Sequence, residues 1–386
     1  MGVPDAGGHT YAGGMKRALL HLPLLAIIVA AMVVGIVAGL GRLGIEMPSI
    51  AIERVGLHGP ILVAGVFGTL ISLERAVAMR TVLGRTWTFA DAAPVLGGAG
   101  TVVLLVSGAT VPAVALLTAG AAVLVVVNLE MLRRQPSLDV LTMAIGAGFL
   151  LLADAAWLAD RAVPFLTPWW MAFLVLTITG ERLELARLRV HDRFAHVSFA
   201  VAATIYIGAL LLMVFDAALG VRLSGIGMLA LTVWLLRFDI AWLTIRRPGL
   251  PRFVATCLLA GYAWLGMAGL IAIASEQIWI GFSYDAYLHA VLLGFVFSMV
   301  FGHAPIIFPA ILERPIVFGR LAWGPLVLLH ISVAARILGD VLESQQLRQG
   351  AGILTAVSIA LYGVVIVIGL VRGAAPRATE GSTPQA

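Results

Sequence analysis

Long apolar runs alternate with short polar connections along almost the whole chain. Each run is close to the roughly 20 residues that an α-helix needs to cross the hydrocarbon core of a bilayer. The pattern predicts an all-α, polytopic membrane helix bundle of about twelve transmembrane helices. The predicted helices are residues 18–40, 57–78, 90–108, 111–132, 138–159, 168–188, 196–217, 223–245, 252–274, 284–309, 320–341 and 349–372.

The composition agrees with a membrane environment. Hydrophobic residues make up 61% of the chain and charged residues 12%, and the mean hydropathy is +1.03. A soluble domain of this length does not have such a composition, so the lipid bilayer is the predicted surroundings of the chain. The first run follows only Lys16 and Arg17 and has no small-residue cleavage site that stands out, so we interpret it as a retained span.

The basic residues are unevenly divided between the two ends of the predicted helices. The sequence pI is near 9.9, but Lys and Arg do not cluster into a soluble module, and no nucleic-acid partner is predicted. With twelve spans both termini lie on one side, and 19 of the 25 Lys and Arg residues fall on that side. This bias predicts cytoplasmic termini in a bacterial-type inner membrane. The six basic residues on the outer side are Arg42, Arg54, Arg161, Arg222, Arg336 and Arg348.

A Glu-Arg pair recurs at corresponding ends of the second, sixth and tenth predicted helices. The segments are LERAVAMR, GERLELAR and LERPIVFGR, and the pairs begin at Glu74, Glu181 and Glu313. The pairs lie four helices apart each time, which predicts three four-helix pseudo-repeats in one transmembrane domain. The alternative is that Glu-Arg pairs are common interfacial helix caps. The predicted repeats are residues 18–132, 138–245 and 252–372.

Two histidines occupy equivalent positions in the first and third repeats. His58 stands at the outer start of the second helix, and His289 lies about one turn inside the outer start of the tenth. Two imidazoles that face each other between helices are the axial arrangement of a low-spin haem b. The single cysteine, Cys257, lies in no Cys-x-x-Cys-His motif, so covalent haem attachment is excluded. The alternatives are an interfacial His58 bonded to a loop carbonyl and a helix-helix hydrogen bond for His289.

Two outer arginines are predicted to complete this haem site. Arg54 lies one turn before His58, and Arg336 lies near the outer end of the eleventh helix. Haem propionates need cationic partners near the water, so we predict that both arginines bind the cofactor.

Two further histidines lie deeper along the chain. His303 follows His289 by fourteen residues, which on a regular α-helix is close to the same face and about 21 Å deeper. His303 and His330, in the eleventh helix, are candidates for a second site that holds copper or a second haem, or for a proton path. The alternative is that Pro305 and Pro309 break the helix end and that His303 satisfies the freed carbonyls.

The twelve spans and the histidines at the outer starts of helices two and ten resemble the core subunit of the haem-copper oxidases. The segments LHAVLLGFVFSMVFGHAPIIFPAIL and LLHISVAARILGD are similar to the NnrS-like branch of haem- and copper-containing membrane proteins linked to nitric oxide stress. The resemblance implies His58 and His289 as axial ligands of a haem and Arg336 as a propionate partner. It also implies copper as a second cofactor.

The chain departs from the oxidase pattern at the dinuclear centre. The sixth helix, WWMAFLVLTITGERLELARL, has no histidine, and Val291 stands where the resemblance would place the second haem ligand of the tenth helix. We therefore expect no terminal oxidase activity.

Two functional classes follow from these residues. In the first, the protein is a b-type haem protein of electron transfer or of nitric oxide response, with a quinone or a redox protein as partner. In the second, it is a secondary transporter of a small solute that uses the intramembrane residues His303, Arg237 and Asp239. A third interpretation is an assembly subunit without a cofactor. The sequence carries no information on oligomeric state.

Overall fold

The computed structural model describes residues 8–48, 53–187, 193–275, 279–312 and 315–374. Within these ranges twelve helices are long and apolar enough to cross a membrane, and the protein is a multi-pass, all-α membrane protein. The predicted fold class is therefore confirmed. The spans are α1 (His21–Arg42), α2 (Val55–Leu83), α3 (Phe89–Ser107), α4 (Val111–Arg134), α5 (Leu138–Leu158), α6 (Val163–Ala186), α7 (Arg193–Leu212), α8 (Ala217–Phe238), α9 (Leu250–Ala274), α10 (Gly281–Leu312), α11 (Arg320–Val341) and α12 (Gln345–Gly373).

Helix α2 is longer than the hydrophobic pattern predicts. The apolar run ends near residue 78, but the helix continues to Leu83. Gly84 ends it in the left-handed conformation, with φ at +61°, and its N–H donates to the carbonyls of Arg80 and Thr81. Glycine adopts this backbone conformation without a Cβ penalty, so the local turn chemistry sets the end of the helix.

Three helices form the centre of the bundle. Consecutive helices pack against one another, and α12 contacts α1 and closes the bundle. Helix α6 contacts both α2 and α10, and the Phe67 ring of α2 lies 5.7 Å from the Phe297 ring of α10, edge to face. In an apolar 18-residue stretch of α6, 78% of the residues are buried inside the protein, against 28% in the corresponding stretches of α1 and of α12. Helices α2, α6 and α10 are therefore central, and α1 and α12 belong to the outer wall.

The Glu-Arg pairs of the first two predicted repeats meet in this centre. We call the side where α1 begins and α12 ends the terminal side, and the other the opposite side. Near the terminal side, Arg75 Nη2 of α2 lies 2.7 Å from Glu181 Oε1 of α6 and 3.9 Å from Glu74 Oε1. The third predicted pair, Glu313 and Arg314, lies outside the described residues. Arg75 thus links α2 and α6 through an ion pair, and the threefold repeat stays a prediction.

Helices α2 and α10 share an irregularity close to the two predicted ligands. A π-helical segment, Ile61–Phe67, begins three residues after His58. A second one, Ala290–Phe297, begins directly after His289. A π-helix has i to i+5 hydrogen bonds and occurs frequently at functional sites. The chain between His289 and His303 is therefore not a regular α-helix. The depth of His303 that follows from regular α-helical spacing does not apply.

The prolines of α10 do not break the helix, which corrects the sequence interpretation. The α-helical part runs from Ser298 to Leu312 with Pro305 and Pro309 inside it. Pro305 has no N–H to donate to the carbonyl of Phe301 four residues earlier. The Tyr362 hydroxyl of α12 donates to that carbonyl instead, and the two aromatic rings stack with centroids 3.8 Å apart. A neighbouring helix thus supplies the missing donor and keeps α10 continuous.

Candidate cofactor-binding site

A pocket on the opposite side of the bundle brings the two predicted axial ligands together. It lies between α1, α2, α10, α11 and α12, and both His58 and His289 line it. Its cavity volume is about 90 Å³, and the atom-free space, which includes the part open to the surroundings, is about 640 Å³. The other lining residues are Gly35, Ile36, Gly39, Leu40, Arg42, Leu43, Leu62, Asp285, Leu293, Phe297, Arg336, Gly352, Thr355, Ala356 and Ile359.

The ring of His289 is held in one tautomer. Its Nδ1 lies 2.8 Å from the carbonyl oxygen of Asp285, one helical turn earlier, and 3.4 Å from Asp285 Oδ2. A carbonyl oxygen only accepts hydrogen bonds, so Nδ1 carries the proton. The lone pair of the neutral ring is consequently on Nε2, which is the arrangement of a histidine that is ready to bind a metal.

His58 is held much less firmly. It opens a single α-helical turn, His58–Pro60, that follows the 3-10 turn Val55–Leu57 and precedes the π-helical segment of α2. Its Nδ1 is buried, and no described residue offers that nitrogen a hydrogen bond of ordinary geometry. The Val55 carbonyl approaches the ring without completing such a hydrogen bond. Buried polar nitrogens are normally satisfied, so the bonding of this ring is incomplete in the protein alone.

A charged network stands behind His289. Arg336 of α11 donates to both carboxylate oxygens of Asp285, from Nε at 2.6 Å and from Nη2 at 2.9 Å. Arg348 of α12 lies 3.6 Å from the same carboxylate and 2.7 Å from Asp340 Oδ1. This fork geometry is the stronger type of ion pair and joins three helices around the ligand histidine.

Of the two predicted propionate partners, only Arg336 lines the pocket. Arg54 does not line the pocket, and its Nε and Nη2 donate to the carbonyls of Leu105 and Val106 at the end of α3, at 3.2 and 2.8 Å. Its role at a haem stays a prediction. The last carbonyls of a helix have no intrahelical donor, so they attract this guanidinium. Arg42 at the end of α1 lines the pocket instead, and its side chain makes no ion pair with a described residue.

The rings of His303 and His330 bond to protein groups in the part of the chain that the structure describes, and their second site stays a prediction. His303 Nδ1 donates to the Met299 carbonyl at 2.7 Å. The indole N–H of Trp264 donates to His330 Nδ1 at 3.0 Å, and His330 Nε2 lies 3.4 Å from the Ser298 hydroxyl. Both ring nitrogens of His330 are therefore engaged. Among the described residues no group of three or more His, Cys, Asp or Glu side chains is placed to hold a metal ion.

The two charged residues of the transporter hypothesis, Arg237 and Asp239, have different surroundings. Asp239 is fully buried, and its Oδ2 accepts from Arg182 Nε at 2.8 Å, while its Oδ1 accepts from the Ala241 N–H. Arg237 is exposed, and its guanidinium lies over the Phe238 ring. None of these side chains lines the pocket beside His58 and His289. Asp239 at the end of α8 thus forms an ion pair with Arg182 of α6.

The sequence analysis missed Asp285, Arg42 and Arg348 as residues of this site. For Asp285 a signal was available, because residues four apart share one face of a helix and Asp285 precedes His289 by four positions. For Arg42 and Arg348 the only signal was that they belong to the outer side, which has few basic residues. Their position near the pocket depends on how α12 packs against α1.

A comparison with known protein families matches the chain to one family. A family model described as a domain of unknown function, DUF8744, matches residues 21–371. This range covers all the spans from α1 to most of α12. No curated protein and no solved structure matches the chain.

Proposed function

The chain belongs to the DUF8744 family of domains of unknown function, and from the chemistry of its pocket we propose that it is an integral membrane haem b protein. His58 and His289 would be the axial ligands, held without covalent attachment between α2 and α10. The observation that carries this proposal is that two imidazoles from non-adjacent helices line one pocket, and that the Nδ1 proton of His289 leaves its Nε2 free for a metal.

The charges around the pocket agree with this cofactor. A haem brings two propionates, and Arg42 and Arg336 line the same pocket. Arg336 is shared with Asp285, whereas Arg42 makes no ion pair among the described residues. We therefore propose Arg42 as a propionate partner in addition to Arg336.

Room for the macrocycle has to come from side-chain movement. The cavity volume of about 90 Å³ is below the roughly 300–1,000 Å³ of ordinary ligand pockets. Leu62 and Leu293 line the pocket and are only half-buried, so their side chains can turn aside when the pocket fills. Haem binding would thus widen a space that already exists between the helices.

A bound haem supplies one-electron redox chemistry in a low-dielectric site. His58 and His289 would together hold the iron, which favours electron transfer with a quinone or a redox protein as partner, or a role in the response to nitric oxide. The uneven distribution of Lys and Arg supports a bacterial-type inner membrane with both termini in the cytoplasm. The pocket then opens on the periplasmic half.

The test is to purify the protein in detergent, after expression with haem supplied, and to record reduced-minus-oxidised spectra with a pyridine haemochrome assay. We expect a sharp low-spin haem b signal with close to one haem per chain. Protein that is folded but free of haem would overturn the proposal. Extraction of the same sample for quinones shows whether another redox group occupies the pocket instead.

Filling the pocket at Gly39 is expected to reduce haem occupancy strongly. A Cβ at this position would lie 3.5 Å from His58 Cδ2, so the Gly39→Leu side chain extends into the space beside the imidazole. Gly363→Leu is the matched control, because Gly363 is exposed on α12 and a Cβ there meets no atom within 4 Å. The measurement is the haem-to-protein ratio of both variants, and equal ratios would show that the cofactor lies elsewhere.

A further inference from the structure

The two histidines of the pocket have unequal support. His289 ends a nine-residue α-helical segment, Gly281–His289, and its Nδ1 is bonded to the Asp285 carbonyl. His58 begins a segment of three α-helical residues, which lies between a 3-10 turn and the π-helical segment of α2. The His289 ring thus has a full hydrogen bond on a nine-residue α-helical segment, while the His58 ring has only an incomplete contact with the Val55 carbonyl on a three-residue one.

The support of His289 extends through a second layer of residues. The Asp285 carboxylate, 3.4 Å from His289 Nδ1, is fixed by both donors of Arg336 and approached by Arg348. Arg348 in turn pairs with the buried Asp340. Such carboxylate partners orient a ligand histidine and raise its basicity, and their loss typically costs about 10–100-fold in metal affinity.

Among the described residues, no carboxylate forms a hydrogen bond with the ring of His58. Its Nδ1 has no partner of ordinary geometry among the described residues. On either side of it, a Cβ added to Gly56 or to Gly59 would meet nothing within 4 Å, so the backbone around this ligand is loosely surrounded. The pocket wall next to it, from Leu62, Ile36 and Leu40, is apolar.

On the basis of the proposed haem, we infer that His289 is the permanent ligand and that His58 is an exchangeable one, so that the site accepts a neutral diatomic gas on the α2 side. The exchange is a substitution without electron transfer: the bond from His58 Nε2 to the iron breaks, the nitrogen keeps its lone pair, and the donor atom of the gas forms the new bond. The apolar wall favours a neutral ligand over an anion. Asp285 acts as a positioning residue for His289.

The test uses carbon monoxide as the probe and three full-length proteins in detergent: wild type, His58→Ala and His289→Ala. We expect dithionite-reduced wild type to form a carbonyl complex in carbon monoxide-saturated buffer. His58→Ala is expected to keep its haem in a high-spin state and to bind carbon monoxide at least about tenfold faster, which corresponds to about 1.4 kcal/mol of removed barrier. His289→Ala is expected to lose its haem.

The outcomes separate this inference from the haem proposal. If wild type contains haem but forms no carbonyl complex, or if His58→Ala is folded and loses its haem as completely as His289→Ala, the exchangeable His58 is wrong and the haem site stands. If wild type contains no haem, the proposed function itself is wrong. Should His58→Ala not fold, the carbonyl spectrum of wild type alone decides the question.

The positioning role of Asp285 has its own readout. In the His58→Ala background, an additional Asp285→Asn change is expected to lower the iron-histidine stretching frequency in the resonance Raman spectrum, because His289 Nδ1 loses its anionic partner. An unchanged frequency would mean that the carboxylate does not act on the ligand. A purely structural role for Asp285 would change protein yield but leave the frequency where it was.

Discussion

Replacing His289 with Ala is expected to remove haem from the purified protein. The imidazole of His289 is the best supported ligand of the pocket, since its tautomer is fixed by Asp285 and the Asp285 carboxylate is fixed by Arg336. Loss of an outer partner alone typically weakens metal binding about 10–100-fold, and loss of the ligand itself removes a bond to the metal, so the effect should exceed that range. The measurement is the haem-to-protein ratio after size-exclusion chromatography.

His303→Ala is the matched control for this variant. His303 lies on the same helix, and its Nδ1 also bonds to the carbonyl four residues earlier, at 2.7 Å against 2.8 Å for His289. The two substitutions therefore remove the same local hydrogen bond, but only one of them removes a side chain from the pocket. We expect His303→Ala to keep its haem. Full haem in His289→Ala would refute the ligand assignment.

The number and approximate extent of the helices were readable from hydrophobic runs, because a bilayer demands the same apolar length from every span. The exact ends of the helices depend on interactions that the hydrophobic runs do not reveal. Gly84 extends α2 beyond its apolar run by closing its last turn. Continuity of α10 through Pro305 depends on the Tyr362 hydroxyl, which comes from a helix about sixty residues away in the chain.

The candidate site was predictable only in part. Matching positions in the predicted repeats pointed to His58 and His289, and the structure places both at one pocket. Arg54 precedes His58 by four positions, but the 3-10 turn between them and the free carbonyls at the end of α3 direct its side chain elsewhere. Hydrophobic periodicity does not reveal i to i+5 hydrogen bonding, so the π-helical segments could not be anticipated.

Breaking the buried ion pair between α6 and α8 is expected to be the most destabilising single change outside the pocket. Arg182 and Asp239 expose 3% and 0% of their side chains. Asp239→Ala leaves the Arg182 guanidinium buried without this partner, a change that typically costs about 3–5 kcal/mol. It also removes the carboxylate that accepts from the Ala241 N–H. The measurement is thermal unfolding in detergent, with a clear fall in the melting temperature as the expected result.

The control for this change is Arg134→Ala, which breaks the exposed pair with Glu130 one turn away on α4. Exposed pairs of this spacing contribute only about 0.3–0.5 kcal/mol, so the melting temperature of Arg134→Ala should stay close to that of wild type.

The double variant Arg182→Leu with Asp239→Leu is expected to recover part of the stability that Asp239→Ala loses, because apolar groups of similar size often replace a buried pair at little cost. Recovery should be incomplete, since the Ala241 N–H still lacks its acceptor. If Asp239→Ala and Arg134→Ala unfolded at the same temperature, the buried pair would not hold α6 to α8, and the packing of apolar side chains alone would have to stabilise that contact.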